Sequence, residues 1–151
     1  MFQYERKIQY HETDKMGVSH HSNYVKWMEE ARVAFLDSIN LPFQAIEARG
    51  IASPVMGLSI AYKKPTTFGD TVLIEVAMTK YTGVQLEVGY TIRLASTGIV
   101  AATAATKHCF LQSGRVISLQ RADPEMHRIL DLAFKRCCAE QHEAEGTKEE
   151  S

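Results

Sequence analysis

The amino-acid sequence predicts an α+β domain in which a strongly curved antiparallel sheet packs on one long central helix. Alternating apolar residues mark one strand at the start of the chain and four long strands in its middle, and helical repeats of apolar residues fill 22–40 and 124–137. Short turns connect the four middle strands, as antiparallel pairing allows. A single helix with so wide an apolar surface requires a sheet that curls around it.

Length and composition predict one soluble domain, residues 1–138, followed by a polar, acidic tail, 139–151, that we expect to be frayed. The net charge of −1 argues against nucleic acid as a partner, because domains that bind phosphate backbones are usually basic. The sequence has neither an apolar signal core nor a membrane-length apolar run, and its three cysteines suit reduced thiols. We therefore expect a cytoplasmic protein without a membrane partner.

The first half of the chain predicts a strand, a polar loop and the central helix. Apolar residues at even positions across Phe2–Tyr10 indicate a half-buried strand, with Arg6 as the exception. Ser22 or Asn23 is the predicted cap of the helix, which should run to about Asn40.

Two charged pairs are predicted on this helix. Lys26 and Glu30 lie one turn apart and should form an exposed pair. Glu29 and Arg32 have similar spacing, which favours an ion pair, although Glu29 could act as a second carboxylate if the helix is buried.

The second half predicts a short helix, four strands and a C-terminal helix. The short helix covers Phe43–Arg49 and is closed by Gly50. The strands are predicted at Met56–Tyr62, Val72–Met78, Val84–Leu94 and Ile99–Gln112. Asp123 should cap the last helix, with Pro124 in its first position. A long strand such as Val84–Leu94 would leave an apolar edge exposed, so we expect at least a homodimer.

The polar loop before the central helix holds the candidate residues for chemistry. Asp14 is ionised at neutral pH, so it can act as a nucleophile or general base, but an aspartate here could equally brace the turn. The backbone N–H of His21 lies where a helix start would hold an oxyanion.

Two other interpretations of the polar residues are weaker. His11, His20 and His21, with Glu12 and Asp14 nearby, match no helical metal-binding spacing, so no metal is predicted. Most lysines and arginines of the strand region, Lys63 and Lys64 among them, should be solvated, and some could contact a phosphate.

One set of residues resembles a known family. The set comprises D-x-x-G at Asp14–Gly17, then His21 and Tyr24, then E-x-x-R at Glu29–Arg32. It is similar to the hydroxybenzoyl-CoA thioesterase-like branch of the hotdog-fold acyl-CoA thioesterases. Pro54, the turn from Tyr62 to Pro65, and Gly69-Asp70 resemble the same family.

The resemblance implies a hotdog fold and specific residue roles. It implies that Asp14 attacks the thioester or activates water, that the His21 N–H polarises the thioester carbonyl, and that no cofactor takes part. Four residues would contact substrate: Gly17, Ser22, Asn23 and Tyr24. Hotdog proteins are similar in forming homodimers or dimers of dimers, with the substrate in a groove between subunits.

We therefore predict an acyl-CoA thioesterase, with two alternatives. A hotdog hydratase or dehydratase would pair His20 or His21 with Glu29, and a non-catalytic module would only bind acyl-CoA. Asp14 favours the hydrolase, because neither alternative uses a carboxylate at that position. The sequence does not identify the acyl group, and it leaves CoA and an acyl carrier protein open as carriers.

Overall fold

The computed structural model describes residues 1–149 and has the predicted order of long elements. Its strands are β1 (Phe2–Lys7), β2 (Ile51–Ala52), β3 (Val55–Tyr62), β4 (Thr71–Tyr81), β5 (Gln85–Leu94), β6 (Val100–Cys109), β7 (Leu111–Gln112) and β8 (Arg115–Val116). Its helices are α1 (Ser22–Ser38), α2 (Phe43–Ala48), α3 (Leu119–Ala122) and α4 (Pro124–Glu149). Five strands form one antiparallel sheet in the order β1-β4-β5-β6-β3. The predicted fold class is confirmed.

Helix α1 lies at the centre of the fold and packs on β1 and β4. Trp27 and Ala31 are completely buried, and Met28 is nearly so. They belong to the same buried core as Ile74 and Ile92 of the sheet, which are also fully buried. Burying large apolar side chains contributes about 1.5–3 kcal/mol each, so this core holds α1 against the sheet.

Strand β1 alternates between half-buried and exposed residues as predicted, and Arg6 lies on its half-buried side. The Arg6 guanidinium reaches α1, where its Nε lies 2.9 Å from Glu30 Oε2. Tyr4 also donates a hydrogen bond to Glu30, at 3.2 Å. The predicted pair of Lys26 and Glu30 is therefore wrong, since Glu30 joins α1 to β1.

Some short elements were not predicted. A second sheet joins β2, β7 and β8, each only two residues long. The predicted strand Ile99–Gln112 is interrupted at Phe110, and the first strand ends at Lys7, before a 3-10 turn at Tyr10–Glu12. Two-residue strands carry no detectable alternation, so the sequence gives no signal for them.

Helix α4 confirms the predicted C-terminal helix and corrects the predicted tail. Asp123 caps it by accepting a hydrogen bond from the backbone N–H of Met126, at 3.1 Å. Residues 139–149 continue the helix rather than forming an irregular tail, and Glu140 lies 3.5 Å from the N-terminal ammonium group. The last two residues of the predicted tail lie outside the described residues.

The edges of the large sheet are β1 and β3, which corrects the expected edge at Val84–Leu94. Strand β5 lies between β4 and β6, so both of its sides are paired. Strand β3 carries four apolar side chains that are 44–67% exposed: Val55, Met56, Leu58 and Tyr62.

Within residues 1–149, no helix has the length and apolar character needed to cross a membrane.

Candidate active site

The loop ahead of α1 folds back on itself as a short antiparallel ladder. The backbone N–H of His20 donates to the carbonyl of Glu12 (2.8 Å), and the N–H of Asp14 donates to the carbonyl of Val18 (2.9 Å). Gly17 closes the turn with a φ of +79°, a conformation that side chains other than hydrogen disfavour. The ladder holds Asp14 on a tight turn a few residues before the helix.

Asp14 is half-exposed and uses one carboxylate oxygen to brace this turn. Its Oδ1 accepts a hydrogen bond from the backbone N–H of Met16, at 2.8 Å. Its Oδ2 has no hydrogen-bond partner among residues 1–149. The turn-bracing role that the sequence offers as an alternative is therefore present, and it leaves one oxygen available for chemistry.

His21, rather than the predicted Ser22 or Asn23, occupies the position that caps α1. The N–H groups of Asn23 and Tyr24 donate to the carbonyls of His20 (3.1 Å) and His21 (3.3 Å). The His21 N–H, in contrast, has no acceptor within the described chain. A free N–H at the start of a 17-residue helix is suited to hold negative charge on an oxygen.

The remaining predicted substrate contacts fall into two groups. Gly17 and Ser22 are exposed, and the Ser22 hydroxyl lies 2.7 Å from His20 Nδ1. Asn23 is buried, and its amide donates to the Glu12 carbonyl at 2.8 Å, so its side chain supports the loop instead of facing a substrate.

Tyr24 is also mainly a packing residue. Its ring is 3% exposed and packs at a tilt against Trp27, with centroids 4.7 Å apart. Its hydroxyl bonds to Thr66 at 3.0 Å, inside the protein. One edge of the ring still reaches a surface groove, described below.

Glu12, which sequence reasoning considered only for a metal, joins the loop to the core. It is 3% exposed; its Oε2 accepts from Trp27 Nε1 at 2.7 Å, and its Oε1 accepts from Arg6 and from the backbone N–H of Gln9. Burial alone would raise the pKa of Glu12, but these donors outweigh it and hold the pKa below its usual range. In the sequence, Trp27 is the residue that could have indicated this structural role of Glu12, because a buried indole N–H requires an acceptor.

Two grooves and a cavity follow α1 from its start to its end. The mouth groove lies at the helix start and is lined by Ser19, His21, Tyr24, Tyr62, Lys63, Lys64 and Pro65. The side groove runs between α1 and β3 and is lined by Val25, Met28, Glu29, Arg32, Val55, Leu58 and Thr106. A hydrogen bond joins two lining residues of the mouth groove: the Tyr62 hydroxyl on β3 donates to the His21 carbonyl at the helix start, at 3.1 Å.

The distal cavity lies farther along α1, enclosed by the sheet, α2 and α4. It shares Glu29 and Arg32 with the side groove, has a volume of about 80 Å³ and is partly open to solvent. Its walls are mostly apolar and include Phe35, Leu86 and Phe110. The cavity and the side groove therefore form adjoining, mostly apolar space alongside the helix.

The predicted ion pair between Glu29 and Arg32 is not formed within 4.0 Å. Arg32 instead donates from Nη1 to the hydroxyl of Tyr90, at 3.1 Å. In residues 1–149, Glu29 makes no hydrogen bond to His20 or His21, which the hydratase alternative would use, and no three His, Cys, Asp or Glu side chains are placed to hold a metal.

Sequence profiles and solved structures identify the family. The profile of the thioesterase-like superfamily matches residues 8–137, which include the loop, α1 and most of the sheet. The chain belongs to this superfamily. The predicted family, the hotdog fold and the predicted enzyme class, a thioester hydrolase, are thereby confirmed.

Individual relatives of this thioesterase-like protein agree. YneP of Bacillus subtilis, a candidate acyl-CoA thioesterase, is 32% identical over 133 residues, which cover 87% of this chain and 96% of YneP. A 1,4-dihydroxy-2-naphthoyl-CoA hydrolase of Synechocystis is 30% identical over 71% of this chain and 78% of its own. The structure of a DHNA-CoA thioesterase from Staphylococcus aureus superposes with a TM-score of 0.83 and 30% identity, covering 94% of this chain and 93% of that one.

Proposed function

We propose that this protein hydrolyses the thioester bond of an acyl-CoA, releasing a free acid and CoA, with Asp14 as nucleophile or general base. The observation that carries the proposal is the free backbone N–H of His21 at the start of α1. Thioester hydrolysis passes through a tetrahedral oxyanion, and a preorganised donor at a helix start stabilises that charge.

Asp14 can carry the reaction by either of two routes. As a nucleophile, its carboxylate adds to the thioester carbonyl and expels the CoA thiolate, leaving a mixed anhydride that water then hydrolyses. As a general base, it removes a proton from a water molecule that attacks the same carbonyl. Both routes give the same products and involve no metal or organic cofactor.

The mouth groove supports CoA as the carrier. Lys63 and Lys64 are exposed on its rim, beside the start of α1, and lysines are common partners of phosphate groups. YneP and the S. aureus protein are both named for CoA thioesters. We place the CoA phosphates at these lysines, the thioester at His21 and the acyl group in the side groove. An acyl carrier protein presents a single phosphodiester, so it would make fewer phosphate contacts with these lysines.

We further propose that the working unit is a homodimer, alone or within a tetramer, and that it forms through the β3 edge in the cytoplasm. The exposed apolar side chains of β3 lie on an unpaired strand edge, which tends to pair with another chain. Because β3 also borders the side groove, a partner there would cover part of the acyl site.

Replacing His21 by proline tests the oxyanion assignment directly. His21→Pro deletes the backbone N–H, and the φ of −56° at this position is already close to the value that proline fixes, about −65°. We expect turnover of an acyl-CoA to fall by about 10²–10³-fold. His21→Ala is the matched control, since it removes the imidazole but keeps the N–H, and it should retain most of the activity.

Thermal unfolding of both variants checks that the fold is intact. Equal activity of folded His21→Pro and His21→Ala would contradict the role of this N–H in catalysis.

A further inference from the structure

Four polar residues line the distal cavity, and two of them, Arg32 and His108, are the ends of one chain of hydrogen bonds. Four half-buried arginines occur in the described chain, and three of them pair with carboxylates: Arg6 with Glu12 and Glu30, Arg49 with Asp123, and Arg93 with Glu75. Arg32 has no carboxylate within 4.0 Å among residues 1–149. A partly desolvated cation is stabilised by an anion or a polar acceptor, so Arg32 is a site for one.

Among residues 1–149, Arg32 has one hydrogen-bond acceptor, the Tyr90 hydroxyl, and that hydroxyl belongs to a buried chain of hydrogen bonds. Arg32 Nη1 donates to Tyr90 OH (3.1 Å), which lies 3.0 Å from Thr106 Oγ1, and Thr106 Oγ1 lies 2.8 Å from His108 Nε2. Tyr90, Thr106 and His108 are all buried. This chain holds the guanidinium through one nitrogen. Its other N–H groups have no acceptor among residues 1–149, and Arg32 lines both the distal cavity and the side groove.

The position of Arg32 fits the far end of an acyl group. Arg32 is 11 residues beyond His21, about 16 Å along the helix axis, and helical side chains point back toward the helix start. The side groove begins at Val25, one helical turn after His21, and runs along Met28 and Leu58 to Arg32. A thioester held at His21 would therefore extend its acyl group over an apolar surface and reach the guanidinium.

We propose that Arg32 is a specificity residue that selects acyl groups carrying a hydrogen-bond-accepting oxygen, a carboxylate or an aryl hydroxyl, at the end remote from the thioester. The proposal rests on the thioester hydrolysis proposed above. Arg32 contacts the acyl group only and takes no part in bond cleavage. Acyl groups that end in a methyl group would leave the guanidinium without an acceptor and be bound less well.

Matched substrate pairs test this inference. The first series compares carboxylate-ended with methyl-ended acyl-CoAs of equal length, from succinyl and butyryl to suberoyl and octanoyl; the second compares hydroxybenzoyl-CoA with benzoyl-CoA. We expect kcat/KM for the oxygen-bearing member to be about tenfold or more higher in at least one pair, the usual size of a hydrogen bond to a charged group. Preference in the first series identifies a carboxylate, and preference in the second identifies an aryl hydroxyl.

Arg32→Met assigns the preference to this side chain. Methionine keeps an extended apolar side chain without donors, so the ratio of kcat/KM between the members of a pair should fall to about one, through a loss on the oxygen-bearing member. Arg93→Met is the matched control, at a half-buried arginine that lines none of the three spaces, and it should keep the preference. Unfolding temperatures verify that each variant is folded.

Each remaining outcome is decisive. Three results would overturn this inference and leave the proposed hydrolysis standing. They are hydrolysis without any preference in wild type, an equal loss on both members of a pair in Arg32→Met, and loss of the preference in Arg93→Met. Absence of hydrolysis with every thioester would instead overturn the proposed function.

Discussion

His108 is a buried histidine that the structure keeps neutral. It is 3% exposed on β6, and its Nε2 bonds to Thr106. Burial is the main reason that its pKa falls from 6.5 to about 4; the positive charge of Arg32 lowers it further, and the backbone of Ser53 and Pro54 opposes the fall. Nothing in the sequence singles out His108, because a histidine within a predicted strand can face either side of the sheet.

This shifted pKa predicts a specific dependence of stability on pH. Between pH 6.5 and 4 the unfolded chain binds a proton at His108 and the folded chain does not, so the free energy of unfolding should fall as the pH drops through this range. The full loss is about 3 kcal/mol. Denaturant titrations from pH 7 to 4 should show it in wild type and not in His108→Gln. Identical pH profiles for the two proteins would contradict a neutral, buried His108.

The predicted site residues form two groups: those that local sequence features identify and those whose roles depend on contacts across the fold. Asp14 and His21 stand out because their positions ahead of a helix are local features of the sequence. Asn23 was assigned to substrate, and Glu12 was considered only for a metal, because their roles depend on contacts across the fold, at the Glu12 carbonyl and at Trp27. A polar residue near a predicted site cannot be sorted into a structural or a substrate contact until its partners are known.

Helix α4 shows the same limit for whole elements. Its apolar stripe was evident from Met126 to Cys137, and this part is buried on the sheet. The sequence after Ala139 has no such stripe, so it was predicted to be frayed, yet the helix continues to Glu149. Apolar periodicity reports burial, whereas an exposed extension of a helix depends on local propensity, which is a weaker signal.

The two parts of α4 should therefore contribute unequally to stability. Leu130→Ala removes a side chain that is 1% exposed and should lower the free energy of unfolding by about 2–5 kcal/mol. Deletion of 141–151 removes a segment in which residues 142–148 are exposed, and it should change the free energy of unfolding by no more than about 0.5 kcal/mol. Chemical denaturation of the two variants measures both values. A larger effect of the deletion than of Leu130→Ala would show that the extension packs against another surface.

At the scale of the whole molecule, the sequence predicted association but gave the wrong strand for it. Val84–Leu94 is long and apolar because it is paired on both sides, whereas the exposed edge β3 is shorter. Apolar and polar residues alternate in the same way whether a strand lies at the edge or in the centre of a sheet. Alternation therefore does not report which strands pair, and strand order depends on that pairing. The homodimer therefore stays a prediction, now placed at β3.

A charge on β3 should disrupt this dimer. Met56 is 67% exposed, and two copies of Met56→Lys brought together across the edge would place like charges near each other. Light scattering at micromolar concentration should give a mass of two or four chains for wild type and of one chain for Met56→Lys. Gln3→Lys, on the opposite edge strand β1, is the control and should keep the wild-type mass. A wild-type mass of one chain would contradict the assembly.

The most direct test of the central claim is thiol release by Asp14→Asn. Asparagine keeps an oxygen that can accept the hydrogen bond from Met16, so the turn should be preserved, but its amide can neither attack a carbonyl nor take a proton from water. We predict that turnover of a hydrolysed acyl-CoA falls by about 10²–10⁴-fold or more, with KM and unfolding temperature close to those of wild type. Retention of more than about a tenth of wild-type turnover would contradict the account and make Asp14 a turn residue only.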